Sequence, residues 1–121
     1  MPNLEQERAA YAWGCVQERD ICTTDYVKLS KSAPALVMGN GLMQTLAFFK
    51  SKNKDHHNNL NLHIMNWLAQ RFLGRQTTDF HQIMNFLHGK DSSVYRLATE
   101  ETMELLRWIR QFAAAVNDSG E

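Results

Sequence analysis

Gly39-Asn40-Gly41-Leu42-Met43-Gln44-Thr45-Leu46-Ala47-Phe48 reads as the stop of one helix and the immediate start of another. Glycine tolerates the left-handed backbone that closes helices, and Asn40 can cap the helix that follows. Leu42, Thr45, Leu46 and Phe49 then recur at three- and four-residue steps. The same spacing governs the chain on both sides of this junction.

Upstream, Leu4, Tyr11, Ala12, Cys15, Val16 and Cys22 mark a first helix of about twenty residues. Thr23-Thr24-Asp25 is an N-cap cluster for a second helix through Tyr26, Val27 and Leu29. Pro34 lacks an amide hydrogen, so that helix is expected to break or kink there and resume from Ala35 to Met38. Downstream, the polar run Ser51 to Asn59 reads as an exposed loop. Leu60, Ile64, Trp67, Leu68 and Phe72 form the stripe of a fourth helix ending near Gly74. Thr77-Thr78-Asp79 opens a fifth, closed by Gly89, and Ser92-Ser93 begins a short element holding Val94, Tyr95 and Leu97. Thr99 is expected to cap a final helix, with Glu100 and Glu101 in its first turn, where the helix dipole favours carboxylates. No segment alternates with period two. The expected fold class is all-α, a compact bundle of about five or six helices forming a single domain over residues 1–121, with residues 117–121 as a frayed tail.

A chain of 121 residues is one domain, large enough to bury a real core. Its longest apolar runs span a few residues, far short of the roughly twenty needed to cross a bilayer. Residues Met1 to Arg8 are polar and acidic, unlike a secretory signal, so no membrane association and a cytoplasmic location are expected. Cys15 and Cys22, placed on one helix, would have Cα atoms roughly 10 Å apart. That exceeds the reach of a disulfide, and buried free thiols are expected.

The formal net charge is zero, but it is unevenly distributed. Residues 1–25 carry two basic and five acidic groups, and residues 79–121 carry four basic and seven acidic. Between them, seven basic groups (Lys28, Lys31, Lys50, Lys52, Lys54, Arg71 and Arg75) face only Asp55. A polyanion responds to the local field rather than the total, so the basic middle is the candidate nucleic-acid surface. Solvated lysines complementing a helix C-terminus are the plainer explanation for Lys50, Lys52 and Lys54.

Catalytic chemistry is not signalled. No P-loop, serine elbow or dinucleotide glycine fingerprint is present. Glu100, Glu101 and Glu104 are accounted for by the helix start and a solvated face. The five histidines lack a paired i, i+4 motif, so no metal or other cofactor is expected and loop or surface imidazoles are the simpler reading. Most aromatics fall at core spacing. Trp13 lies off the apolar face and is a candidate partner contact.

The stretch Gly39 to Phe48 also resembles the Asn-Gly-Leu-x-Gln-x-Leu-Ala-Phe signature of the small subunit of the type III-B CRISPR (Cmr) complex. Tyr95-Arg96-x-x-Thr99-x-Glu101-x-x-x-Leu105-x-x-Trp108, followed by Ile109, Arg110, Phe112 and Ala113, looks like that family's C-terminal helix. The motif residues are Asn40, Gly41, Gln44, Thr45, Tyr95, Arg96, Thr99 and Trp108. The resemblance implies a helical protein without enzymatic activity whose copies stack head-to-tail into an inner filament. It implies contact with crRNA and target RNA, and with the backbone and large Cmr subunits, which perform the RNA cleavage and cyclic-oligonucleotide synthesis. It also implies RNA contacts from surface Lys and Arg, for which Lys28, Lys31, Lys50, Lys52, Lys54, Arg71 and Arg75 are the candidates. Asn40, Gln44 and Thr45 have an alternative role in holding the helix junction. A helical protein-protein adaptor with an acidic partner is the main rival reading, and a small metal-dependent enzyme is the other.

Overall fold

A computed structural model describes residues 1–117, and within them the regular structure is entirely helical. The helices are α1 (Leu4–Val16), α2 (Thr24–Asn40), α3 (Leu42–Lys52), α4 (Asp55–Leu68), α5 (Phe80–Gly89) and α6 (Ser92–Val116). A five-residue π turn, Ala69–Leu73, extends α4 to Gly74, whose positive φ of 69° ends it. The expected all-α single-domain bundle is therefore present. Part of the expected tail, residues 118–121, lies outside the described residues. At the tail's first residue, the Asn117 side-chain amide donates to the Cys22 carbonyl at 2.7 Å.

Local chemistry explains most boundaries. Asn3 and Gln6 form a reciprocal capping box at the start of α1, with both bonds at 2.8 Å. Thr23 accepts from the Tyr26 amide to open α2, and Asp79 accepts from His81 and Gln82 to open α5.

Several expectations are corrected. Helix α1 has 13 residues and stops at Val16, so Cys22 lies beyond it in the turn before α2. Both cysteines are free thiols, but only Cys15 is buried. Helix α2 runs through Pro34 without interruption. Its buried face, Tyr26, Val27, Leu29, Ala33 and Val37, packs against α3, α4 and α6, and this burial outweighs the lost hydrogen bond. The polar run after α3 is not a long loop, because α4 begins at Asp55 and only Asn53 and Lys54 separate the helices. The last segment is one helix of 25 residues capped by Asp91. Thr99 is not a cap but an interior residue whose hydroxyl donates to the Tyr95 carbonyl at 3.0 Å.

Helix α6 is the spine of the bundle, packing on α1, α2, α4 and α5. Ala98, Leu105, Leu106, Ile109 and Ala113 are buried along it. Among them is Glu101, only 7% exposed, which corrects its assignment to a solvated first turn. Arg8 of α1 grips both of its oxygens, Nε donating to Oε2 at 2.7 Å and Nη2 to Oε1 at 2.8 Å. Trp67 of α4 donates its indole N–H to Oε2 at 2.8 Å. Burial opposes the Glu101 charge, but the bonds from Arg8 and Trp67, with the charges of Arg8 and Arg71, outweigh it and hold the carboxyl below the usual glutamate range.

Glu101→Ala, which removes the buried acceptor of three hydrogen bonds and leaves Arg8 only Glu5 at the surface, should cost about 3 kcal/mol in denaturant unfolding. A depressed native pKa makes this contribution full above the unfolded glutamate pKa of 4.5 and loses it as pH falls through the lower native value. Wild-type stability should fall across that acid window more steeply than that of Glu101→Gln, as unfolding curves collected at successive pH values will test.

Candidate nucleic-acid interface

All seven basic residues of the middle third are exposed, and none forms an ion pair among the described residues. Lys28 and Lys31 occupy the outer face of α2, opposite its buried stripe. Lys50, Lys52 and Lys54 crowd the α3–α4 turn. Lys50 and Lys52 fall in the last turn of α3, where the helix dipole favours cations. The turn is defined by Asn53, at a left-handed φ of 53°, whose side-chain oxygen accepts from the Asn58 amide at 3.1 Å.

Two of these lysines are also positioned by aromatic rings. The Lys50 ammonium lies 5.5 Å from the centre of the Phe80 ring, and that of Lys52 lies 5.8 Å from Phe48. Phe48, next to the buried Phe49, departs from the core spacing of most aromatics and is 45% exposed. Behind it sits His57, buried beside Phe49 and edge-on to Phe48. Burial lowers the pKa of this imidazole, and the nearby His56, Lys52 and Lys54 lower it further. The expectation of loop and surface histidines is thus corrected for His57 and for His63, both of which are buried.

Arg71 belongs to a different neighbourhood. It lines a cleft with Leu4, Arg8, Phe72, Leu97, Glu100, Glu101 and Glu104, so three carboxylates share its neighbourhood, one of them already held by Arg8. Arg75 is exposed just beyond Gly74. The tertiary structure thus groups the lysines of the α3–α4 turn and sets Arg71 apart from them.

Three of the eight motif residues, Gly41, Thr45 and Tyr95, serve the helix junction. Gly41, not Asn40, occupies the boundary between α2 and α3, with φ 89° and ψ 159°. That backbone is nearly restricted to glycine. Gly39 falls inside α2, and no side chain of α3's own segment caps its N-terminus. Tyr95 of α6 supplies the missing partner, its hydroxyl oxygen accepting from the Met43 amide at 3.1 Å. Thr45 is buried and donates to the Gly41 carbonyl at 2.8 Å. Asn40, Gln44 and Arg96 are exposed and make no side-chain hydrogen bond among the described residues. Trp108 is half-buried against Phe112 at 5.5 Å, and its indole N–H has no partner among the described residues. Trp13 is 42% exposed and meets Phe112 edge-on at 5.1 Å, so its ring is partly anchored.

Tyr95→Phe should cost about 1 kcal/mol by leaving the Met43 amide without its acceptor. Gly41→Ala should cost on the order of 1–3 kcal/mol through backbone strain. Chemical denaturation of both variants and their combination will measure these terms, and because the sites touch, the double variant is expected to be non-additive.

The chain and its fold are similar to known proteins. The family model described as CRISPR-associated protein (Cas_Cmr5) matches residues 4–116. The crystal structure of a CRISPR-associated Cmr5 family protein from Thermus thermophilus is similar, with a TM-score of 0.77 and 29% sequence identity. That match covers 96% of this chain and 98% of the other. With nearly every described residue inside the match, the chain belongs to the Cmr5 family, the small subunits of the type III-B CRISPR (Cmr) complex.

Proposed function

We propose that this Cmr5-family chain is a non-catalytic structural subunit that contacts target RNA and the guide–target duplex through sequence-independent phosphate contacts. The observation that carries this reading is the set of exposed, unpaired lysines on α2 and at the α3–α4 turn. An ammonium already neutralised by a carboxylate gains little from a phosphate, whereas an unpaired one releases condensed counterions on binding. Lys28, Lys31, Lys50, Lys52 and Lys54 are the contacts proposed. Arg71 and Arg75 are secondary, since Arg71 already lies among carboxylates.

The acidic parts of the sequence support a division of labour. Helix α1 packs along α6, which brings the first and last thirds of the chain together. Glu100 and Glu104 then share a cleft with Leu4 and Arg8 at the start of α1. In this reading the acidic side meets the other Cmr subunits and neighbouring copies in head-to-tail stacks, and the lysine side meets the RNA. The cytoplasm, where crRNA and target meet, is the proposed location. Among the described residues, no helix is long and apolar enough to cross a membrane.

Charge reversal of Lys28, Lys31, Lys50, Lys52 and Lys54 to Glu should weaken target-RNA binding by the assembled complex without unfolding the subunit. If each lysine meets one single-stranded phosphate, the slope of log affinity against log salt should fall by roughly 3.5. Unchanged affinity together with an unchanged slope, in complexes shown to contain the variant subunit, overturns the assignment.

A further inference from the structure

Away from the lysines, the end of α1 meets the middle of α4 in a polar cluster that RNA contact does not use. Cys15 lies in the last turn of α1, Glu18 in the turn that follows, and His63 on α4. One ligand-capable atom from each lies within 4.8 Å of the others. His63 Nε2 and a Glu18 carboxylate oxygen are 3.1 Å apart. Cys15 and His63 are 3% and 6% exposed, whereas Glu18 reaches solvent.

We infer that Cys15, Glu18 and His63 form a binding site for a borderline-soft divalent cation of the zinc class. The donor set carries the identification. A thiolate, an imidazole and a carboxylate suit zinc, while magnesium and calcium take oxygen donors. Bonds of about 2.0–2.3 Å to zinc in tetrahedral geometry put neighbouring donors roughly 3.3–3.8 Å apart. The His63–Glu18 pair is already close to that spacing. The contraction that remains involves Cys15, whose Sγ lies within 4.8 Å of the other two donors.

The surroundings supply what such a site needs behind its ligands. The hydroxyl of fully buried Tyr26 lies 2.8 Å from His63 Nδ1. With the ring proton on Nδ1 and the Tyr26 oxygen accepting it, the Nε2 lone pair faces Glu18. The Tyr11 hydroxyl donates to the His63 backbone carbonyl at 2.6 Å and fixes that turn of α4 against α1. In the metal-free chain, Nε2–H donates to Glu18 instead, so the cluster is held together before any cation arrives. Metal entry sends the Cys15 thiol proton to solvent. A surface cleft of about 230 Å³ that includes Tyr11, Glu18, His63 and Asn66 leaves room for water as a fourth ligand. The bound cation would staple α1 to α4 and stabilise the fold rather than perform chemistry.

Cobalt(II), titrated into the full chain and followed by absorbance, is the probe, because a thiolate–cobalt bond has its own charge-transfer band. The expected result is one cobalt per chain, that band, and displacement by zinc. Cys15→Ala should abolish the band, Glu18→Gln should weaken binding at least tenfold, and Cys22→Ala should leave both unchanged. Glu18 is exposed, so its variant keeps the test valid should Cys15→Ala fold poorly. Absence of the thiolate band in the wild type, or a band that survives in Cys15→Ala and is lost in Cys22→Ala, overturns the inference. So does equal affinity in Glu18→Gln.

Discussion

The carboxylate of Glu101 is the constraint on which the arrangement of the helices depends. An ionised group at 7% exposure persists only with its charge and lone pairs satisfied, and here Arg8 and Trp67 do both. The three residues stand on α6, α1 and α4, so one carboxylate ties the rotation of three helices together, through a salt bridge to α1 and a hydrogen bond from α4. A slip of one residue in α1 or α6 would bury a charge without its partner, and a slip in α4 would remove the carboxylate's indole donor. Apolar contacts among leucines tolerate such slips at far lower cost, so the ionic contact specifies the register while the leucine-rich core supplies the bulk of the driving force. Tyr11, its ring tilted against that of Trp67 at 4.9 Å and its hydroxyl bonded to the His63 carbonyl, extends the same α1–α4 contact toward the other end of α1.

Once α6 is held in this way, Tyr95 reaches the α2–α3 junction and completes the first turn of α3. The tight connection has only Gly41 between the helices and no local cap, so it depends on a side chain from 52 residues away. This gives a physical reason for Gly41, Thr45 and Tyr95 to stand where they do. It also separates them from the proposed RNA surface, because those three residues hold the scaffold and the lysines lie elsewhere.

Folding converts a charge pattern along the chain into a pattern in space. Helices α1 and α6 pair, so the two acidic thirds come together, while α2 and the α3–α4 turn carry the lysines outward. The cation–π contacts of Lys50 and Lys52 restrict side chains that would otherwise be free, and preorganised cations lose less entropy on meeting a phosphate. The Cys15–Glu18–His63 cluster lies on the separate α1–α4 seam, so a cation there would stiffen the bundle without using the lysines.

Apolar spacing and caps made the helical class, the Thr23 and Asp79 starts, the Gly74 and Gly89 ends, and the basic middle third legible in the sequence by itself. Two short motifs made the family legible. These signals are local, set by backbone conformation and by neighbours three or four residues apart. Local rules misplaced the break at Pro34 and the cap at Thr99, because burial of a whole helix face outweighs one missing hydrogen bond or one favourable hydroxyl. Only the tertiary structure decided that Glu101 is a buried ion partner, that Tyr95 caps a distant helix, that Arg71 sits among acids, and that Cys15, Glu18 and His63 converge. Each of those depends on groups far apart in the chain, as in Trp67–Glu101 at 34 residues and Arg8–Glu101 at 93, where no sequence period connects the partners.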